Sequence, residues 1–256
     1  MIKIKRIDKP KNLTTEFVKE KTDEFIGSGN KKTVWNYPWL KEALLEMSFV
    51  KCSYCEVKLQ EDGKYMEVEH IKPKSVHPDL VLYWENLLPA CKTCNGNKGE
   101  EDIAFINPTT DEIKEHIALL SFRFRKKTQK GQNTIEALDL NRMTKTNSLL
   151  KNISSRFEVG QNFIKKIEVC NNQNKQVNKR NEFKTILTEA QPEAEFAATV
   201  ATVLFNPSYG VSDLVQNIAS ELKKNGYWTD EIDFLYHNSK TLAFTDELKD
   251  LKNIQP

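Results

Sequence analysis

Nowhere in the 256 residues does an apolar run approach the roughly 18 consecutive positions that a bilayer-spanning helix needs. The first eleven residues alternate isoleucine with lysine and arginine, and lack both the apolar core and the cleavage site of a secretory leader. The chain therefore reads as cytoplasmic. No internal repeat is evident, which argues against a solenoid or propeller. Cysteine is scarce, at five residues, and a net charge of +2 is too small to mark the whole chain as a nucleic-acid binder.

What is present is an ordinary globular composition, 39% hydrophobic and 29% charged, long enough for one large domain or two small ones. The charge is unevenly spread. From 121 to 184 there are 15 Lys/Arg against 5 Asp/Glu; from 185 to 256 there are 5 against 11. A basic middle followed by an acidic end suggests two surfaces for two partners; the plainer reading is a set of solvated helix faces.

Residues 13–26 place Phe17, Val18, Phe25 and Ile26 on one side of a predicted helix that ends at Gly27 and Gly29. A second helix starts at Pro38 and carries Trp39, Leu40, Ala43, Leu44 and Met47. Short β-like runs follow at 66–71 and 86–90, the first preceded by a turn signal, Glu61-Asp62-Gly63-Lys64. Beyond Pro108 the pattern is helical again, with predicted helices at 112–120, 149–159, 162–170, 179–189, 194–204 and 211–224. The expected fold class is α+β and predominantly helical. Residues 1–50 form an N-terminal helical lead-in, 51–107 a small β-containing core, and 108–256 a helical region that is the candidate for nucleic-acid and partner binding.

Four of the five cysteines form two C-x-x-C pairs, Cys52/Cys55 and Cys91/Cys94, with 35 residues between them. In a reducing compartment such pairs are more often zinc ligands than disulfides. Four thiolates complete a tetrahedral shell with no open position, so the predicted Zn²⁺ is structural rather than catalytic. Cys170 stands alone and is expected to pack as a small apolar residue.

Between and just after these pairs lie Glu69-His70, then Asn86, then Asn95 and Asn97 around Gly96. An acid-His pair, an Asn opening a second strand, and an Asn directly after the second C-x-x-C resemble the pattern of the HNH (ββα-metal) nucleases. The resemblance covers residues 52–107. It implies a ββα-metal core in which His70 is the general base, Glu69 and Asn95 hold a catalytic Mg²⁺ or Mn²⁺, and Asn86 braces the loop that carries His70. Asn97 is the alternative ligand to Asn95. Two departures matter: Glu69 stands where Asp is commoner, and Asn95 where His is commoner, which removes a nitrogen ligand and favours a hard cation. The chemistry is consistent, since an imidazole with a pKa of about 6.5 can accept a proton from water at neutral pH. A hard divalent cation held by few protein oxygens can neutralise the scissile phosphate. His77, His116 and His237 lack such a context and are expected to be structural.

Lys72, Lys74, Lys92 and Lys98 flank the motif and are candidate nucleic-acid contacts. The segment 51–100 itself carries 7 lysines and 8 acidic residues, so most non-specific affinity has to come from elsewhere, with the basic middle as the candidate. Outside the core, Trp39-Leu40-Lys41-Glu42-Ala43-Leu44-Leu45 and Ile135-Glu136-Ala137-Leu138-Asp139-Leu140-Asn141, followed by Leu149, Leu150 and Arg156, resemble the HNH effectors of bacterial anti-phage systems: the nuclease component of Septu and its retron-attached relatives. That resemblance implies DNA as substrate, with RNA as the alternative, and a partner ATPase of the SMC/ABC-like (PtuA) kind. Its candidate docking region is the acidic helical end, with Phe196, Val200 and Val203 as docking residues or, on the plainer reading, core.

Overall fold

The computed structural model describes residues 1–61, 65–142 and 152–246. The turn anticipated at Glu61-Asp62-Gly63-Lys64 lies, past its first residue, outside the described residues, as do Leu149 and Leu150. Helix α1 (Thr15–Gly27) begins where Thr14 Oγ1 accepts the Phe17 amide at 3.1 Å, and α2 (Pro38–Met47) begins on a proline whose missing N–H costs nothing there. Helix α2 packs on a two-stranded antiparallel hairpin, β1 (Met66–His70) and β2 (Leu87–Cys91), paired from Met66↔Cys91 to His70↔Leu87, and α1 packs on the turn at Pro78–Leu80 between the strands. Helix α3 (Lys92–Lys98) follows without a loop. Cys91 caps it by accepting the Cys94 amide on Sγ at 3.4 Å, and Gly99 at φ 55° ends it.

The region 112–120 corrects the predicted helix. One turn, α4 (Ile113–His116), gives way to a strand, β3 (Ile117–Leu120), which pairs with β4 (Arg123–Lys126). Every residue of β3 is buried, and a short apolar run buried on both faces carries no periodicity to separate strand from helix. The two-residue turn uses Ser121 and Phe122 at φ 47° and 63°, positions normally held by Asn-Gly, so its sequence signal is missing. Phe122 tolerates this because its ring is buried and its amide donates to the Tyr209 hydroxyl at 3.2 Å. Helix α5 (Gln129–Ala137), not anticipated, closes this layer.

Five α-helices follow among the described residues: α6 (Asn152–Asn171), α7 (Gln176–Thr188), α8 (Ala197–Phe205), α9 (Ser212–Lys224) and α10 (Asp230–Leu242). The predicted break near residue 160 is absent. Gly160 sits inside α6 because a Cβ there would stand 2.1 Å from the Phe122 ring, so the glycine serves packing rather than termination. Helix α10 was overlooked although Thr229 caps it and Asp230, Glu231 and Asp233 occupy its first turn. Residues 197 to 204 of α8 are all buried, and Phe196, Val200 and Val203 are 6%, 1% and 0% exposed, so this stretch is core rather than docking surface.

Two apolar clusters result. One joins α1, α2, the hairpin and the cysteines; the other joins α6 to α10 around Phe163, Phe183, Val203 and Ile218. The linear charge segregation is partly answered in the fold: Lys127–Asp246, Lys166–Glu189, Lys179–Glu221 and Lys184–Glu231 pair the basic middle with the acidic end at 2.6–2.8 Å. Exposed pairs of this kind contribute at most about 1 kcal/mol each, but they consume the cations that a nucleic-acid surface needs. No helix among the described residues is long and apolar enough to cross a membrane.

Candidate active site

The four cysteines converge. Their sulfurs all lie within 4.8 Å of one another, with Cys55 Sγ 3.8 Å from Cys91 Sγ, and all four are buried. The cluster can hold one metal ion and leaves no position for a substrate. It ties the loop after α2 to the point where β2 becomes α3, and so sets the start of the helix that faces the hairpin. The loop is held from outside as well. The Glu56 carboxylate accepts the Ala198 amide at 3.2 Å, the Lys58 amide donates to Glu195 at 3.0 Å, and Lys51 Nζ donates to the Ala194 carbonyl at 2.8 Å. Residues 194–198 therefore clasp the first cysteine loop from the far half of the chain, which no sequence signal anticipates.

On the hairpin face that meets α3, two carboxylates alternate along β1 and meet two residues one helical turn apart. Asn95 donates through Nδ2 to Glu67 at 2.7 Å, and Lys98 Nζ stands 2.8 Å from Glu69 Oε1 while donating to the His70 carbonyl at 2.8 Å. Spacing of i, i+3 on the helix against i, i+2 on the strand produces this match. Asn97 points elsewhere and donates to the Leu138 carbonyl at 3.2 Å.

Lys98 is thereby corrected as a nucleic-acid contact. Its ammonium is 1% exposed and internal, whereas Lys72 and Lys92 are exposed and Lys74 is half-buried. Burial pushes Glu69 up to about 7, opposed by Lys98 and Lys74. Lys98→Met is expected to lower stability by about 3 kcal/mol, the cost of stranding one member of a buried pair. Urea denaturation reads this directly, and an unchanged midpoint would show that the pair contributes nothing.

His70 ends β1, where the strict alternation of strand side chains ceases. Its Nε2 lies 3.0 Å from the Val81 carbonyl, its ring is 5% exposed, and the Trp35 ring stands perpendicular to it at 5.0 Å and 82°. Burial pushes its pKa down to about 4, against the Val81 hydrogen bond, with Lys74 and Lys98 adding to the fall. The imidazole is thus neutral near pH 7. A carbonyl can only accept, so Nε2 carries the proton and Nδ1 carries the lone pair. No direct hydrogen bond joins His70 to Glu69 among the described residues; what they share is adjacency at the strand end and the field of the same two lysines.

Asn86 makes three bonds that close the loop between the strands: Oδ1 accepts the Lys72 amide at 2.8 Å, and Nδ2 donates to the Lys72 and Leu80 carbonyls at 3.1 Å each. That loop delivers the Val81 carbonyl to His70. Sequence reasoning missed three supports. Arg6 donates to the Trp84 and Leu87 carbonyls at 2.7 and 3.2 Å, Trp84 Nε1 donates to the Ile7 carbonyl at 3.1 Å, and Trp35 walls the imidazole. All involve the first 50 residues, far in sequence from any motif. Of the other histidines, His77 pairs with Asp102 at 3.0 Å, His116 with Thr128 at 2.9 Å and His237 with Asp233 at 3.5 Å.

The HNH endonuclease family profile matches residues 52–101, the span of this site. The chain is 42% identical over 221 residues to the Septu protein PtuB of Bacillus thuringiensis, covering 80% of this chain and 82% of that protein. A second Septu protein PtuB, from Bacillus mycoides, is 26% identical over 148 residues, and a retron Vc95 protein of Vibrio cholerae named as an HNH endonuclease is 36% identical over 109 residues. The chain spans about half the length of each of these two. With the cysteine cluster, the acid-His strand end and the identity over most of both chains taken together, this protein belongs to the PtuB family of HNH endonucleases.

Proposed function

We propose that the chain hydrolyses phosphodiester bonds of nucleic acid, DNA in the first place and RNA as the alternative, as the effector of an anti-phage defence system. His70 is the general base: Nδ1 takes a proton from the attacking water while Nε2 remains on the Val81 carbonyl. Glu69 and Asn95 hold a Mg²⁺ or Mn²⁺ ion. A hard divalent cation bound there supplies neutralisation of the charge that builds on the scissile phosphate. Asn86 holds the Val81 loop in place, and Lys72 and Lys74 contact the phosphate backbone. The four cysteines hold a structural Zn²⁺.

The observation that carries this reading is a neutral histidine of fixed tautomer, one residue from a buried carboxylate. The donor set fits a hard cation. Glu69 offers a buried carboxylate beside the Lys98 ammonium, and Asn95 spends its nitrogen on Glu67, the atom that a cation does not take. The likeness to a Septu protein supports control by a partner ATPase of the SMC/ABC-like kind, docking on the helical half of the chain.

The test is cleavage of duplex DNA, single-stranded DNA and tRNA by the full chain, alone and co-purified with that ATPase, with Mg²⁺ and with EDTA. Metal-dependent product in at least one combination is expected. Nucleic-acid binding without product in every combination would establish a zinc-stabilised adaptor instead.

A further inference from the structure

We propose that Trp35 is a positioning residue for the general base, an inference that rests on the assignment of His70 to that role. Trp35 lies outside the span matched by the family profile, in the segment between α1 and α2. Three contacts converge on its indole. It stands perpendicular to His70 at 5.0 Å and 82°; the Phe25 ring, fully buried in α1, meets it at 5.9 Å and 76°; and Lys74 Nζ stands over the ring at 5.1 Å. Phe25 anchors the indole to the core, the indole packs against the imidazole, and the Lys74 ammonium is seated over the same indole.

The approach to Trp35 is fixed as well. Ser28 Oγ donates to the Phe25 carbonyl at 2.6 Å and accepts the amides of Lys31 and Lys32 at 3.1 and 3.0 Å, which sets the turn that leads the chain back to the site. Val34 then plugs into the core at 2% exposure, leaving Trp35 half-buried on the site side. The single hydrogen bond from Nε2 to the Val81 carbonyl fixes the tautomer but allows the ring to swing about that bond. A perpendicular indole in contact with the ring restricts that freedom, and orientation of a catalytic group is worth a large factor in rate. The cation over the indole face is held by the ring's quadrupole, so one side chain places both the base and a phosphate-facing charge.

The experiment compares Trp35→Leu and Trp35→Phe with the parent in the full chain. The imidazole signals of the four histidines are recorded by ¹H–¹⁵N NMR, with that of His70 assigned by its loss in His70→Ala. The expected result is a His70 signal that keeps its Nε2–H tautomer and shifted ring protons in the parent and in Trp35→Phe. In Trp35→Leu the same signal moves to exchange-averaged values while the other three stay put. Under whichever conditions give cleavage, kcat falls about 10–100-fold in Trp35→Leu, with KM within about 3-fold, and is restored in Trp35→Phe. A merely structural tryptophan would disturb all four signals or none. Trp35→Leu with an unmoved His70 signal overturns the proposal, as does a Trp35→Phe variant that fails to restore it. Failure of the underlying reading looks different: His70→Ala then cleaves at the parental rate, whatever the Trp35 variants do to the spectrum.

Discussion

Cleavage by the His70→Ala protein is expected to fall by about 10²–10⁴-fold, with its fold and its cysteine cluster unaltered. The size of the effect follows from what the imidazole is placed to do. Burial leaves it neutral, and the Val81 carbonyl fixes the proton on Nε2, so the lone pair on Nδ1 is present in nearly every molecule at neutral pH. Alanine removes the imidazole at the end of β1 and leaves Glu69, whose charge Lys98 already engages, as a poor substitute. The cost to folding is small by comparison. His70 contributes one hydrogen bond and one aromatic contact, each worth about 1 kcal/mol. The variant should therefore melt cooperatively and retain its cysteine-bound metal. Rates are compared at equal metal content, and equal rates in variant and parent would remove His70 from the chemistry.

The second large effect is expected at the cysteines. Cys94→Ser should abolish stoichiometric metal binding and destabilise the first apolar cluster by on the order of 5 kcal/mol or more, since a structural zinc supplies about 10–16 kcal/mol in isolated small domains. All four sulfurs sit within that cluster, between α2, the hairpin and α3. The second cluster, built from α6 to α10, contains none of them. Loss of the metal should thus split unfolding into two steps, an early one for the hairpin region and a later one that takes most of the helical signal. Elemental analysis of the purified chain reads the metal and its identity, and circular dichroism against temperature reads the steps. A single unshifted transition in Cys94→Ser would show that the sulfurs hold nothing of consequence.

The parts legible in the sequence are those whose chemistry fixes a local spacing. Two C-x-x-C pairs announce a cluster because two thiolates on one turn chelate one ion, and the structure brings the four sulfurs together. Most of the helices are legible from apolar periodicity, although α6 is continuous where a break is predicted and α10 is not predicted, and the predominantly helical α+β class follows from them. What escaped depends on partners remote in sequence. Trp35, Arg6 and the Val81 carbonyl reach the site through the fold, and nothing in their neighbouring residues distinguishes them from ordinary core or loop. Lys98 looked like a loop cation because a linear string does not say which face of a seven-residue helix is inside. The basic middle likewise looked like a surface for nucleic acid, yet its charges are partly answered by the acidic end across four ion pairs. Hairpin β3–β4 was hidden by a turn that uses Ser121 and Phe122 in left-handed conformations that glycine usually fills.

The clasp of residues 194–198 on the first cysteine loop makes the catalytic unit a poor candidate for transplantation. Its borders along the chain, near residues 52 and 101, are not its borders in space. An excised core would bare the Glu56 carboxylate and strand the Lys51 ammonium, both of which are now closed over by a segment some 140 positions away. Whatever moves the far half of the molecule pulls on the same loop that carries Cys52 and Cys55.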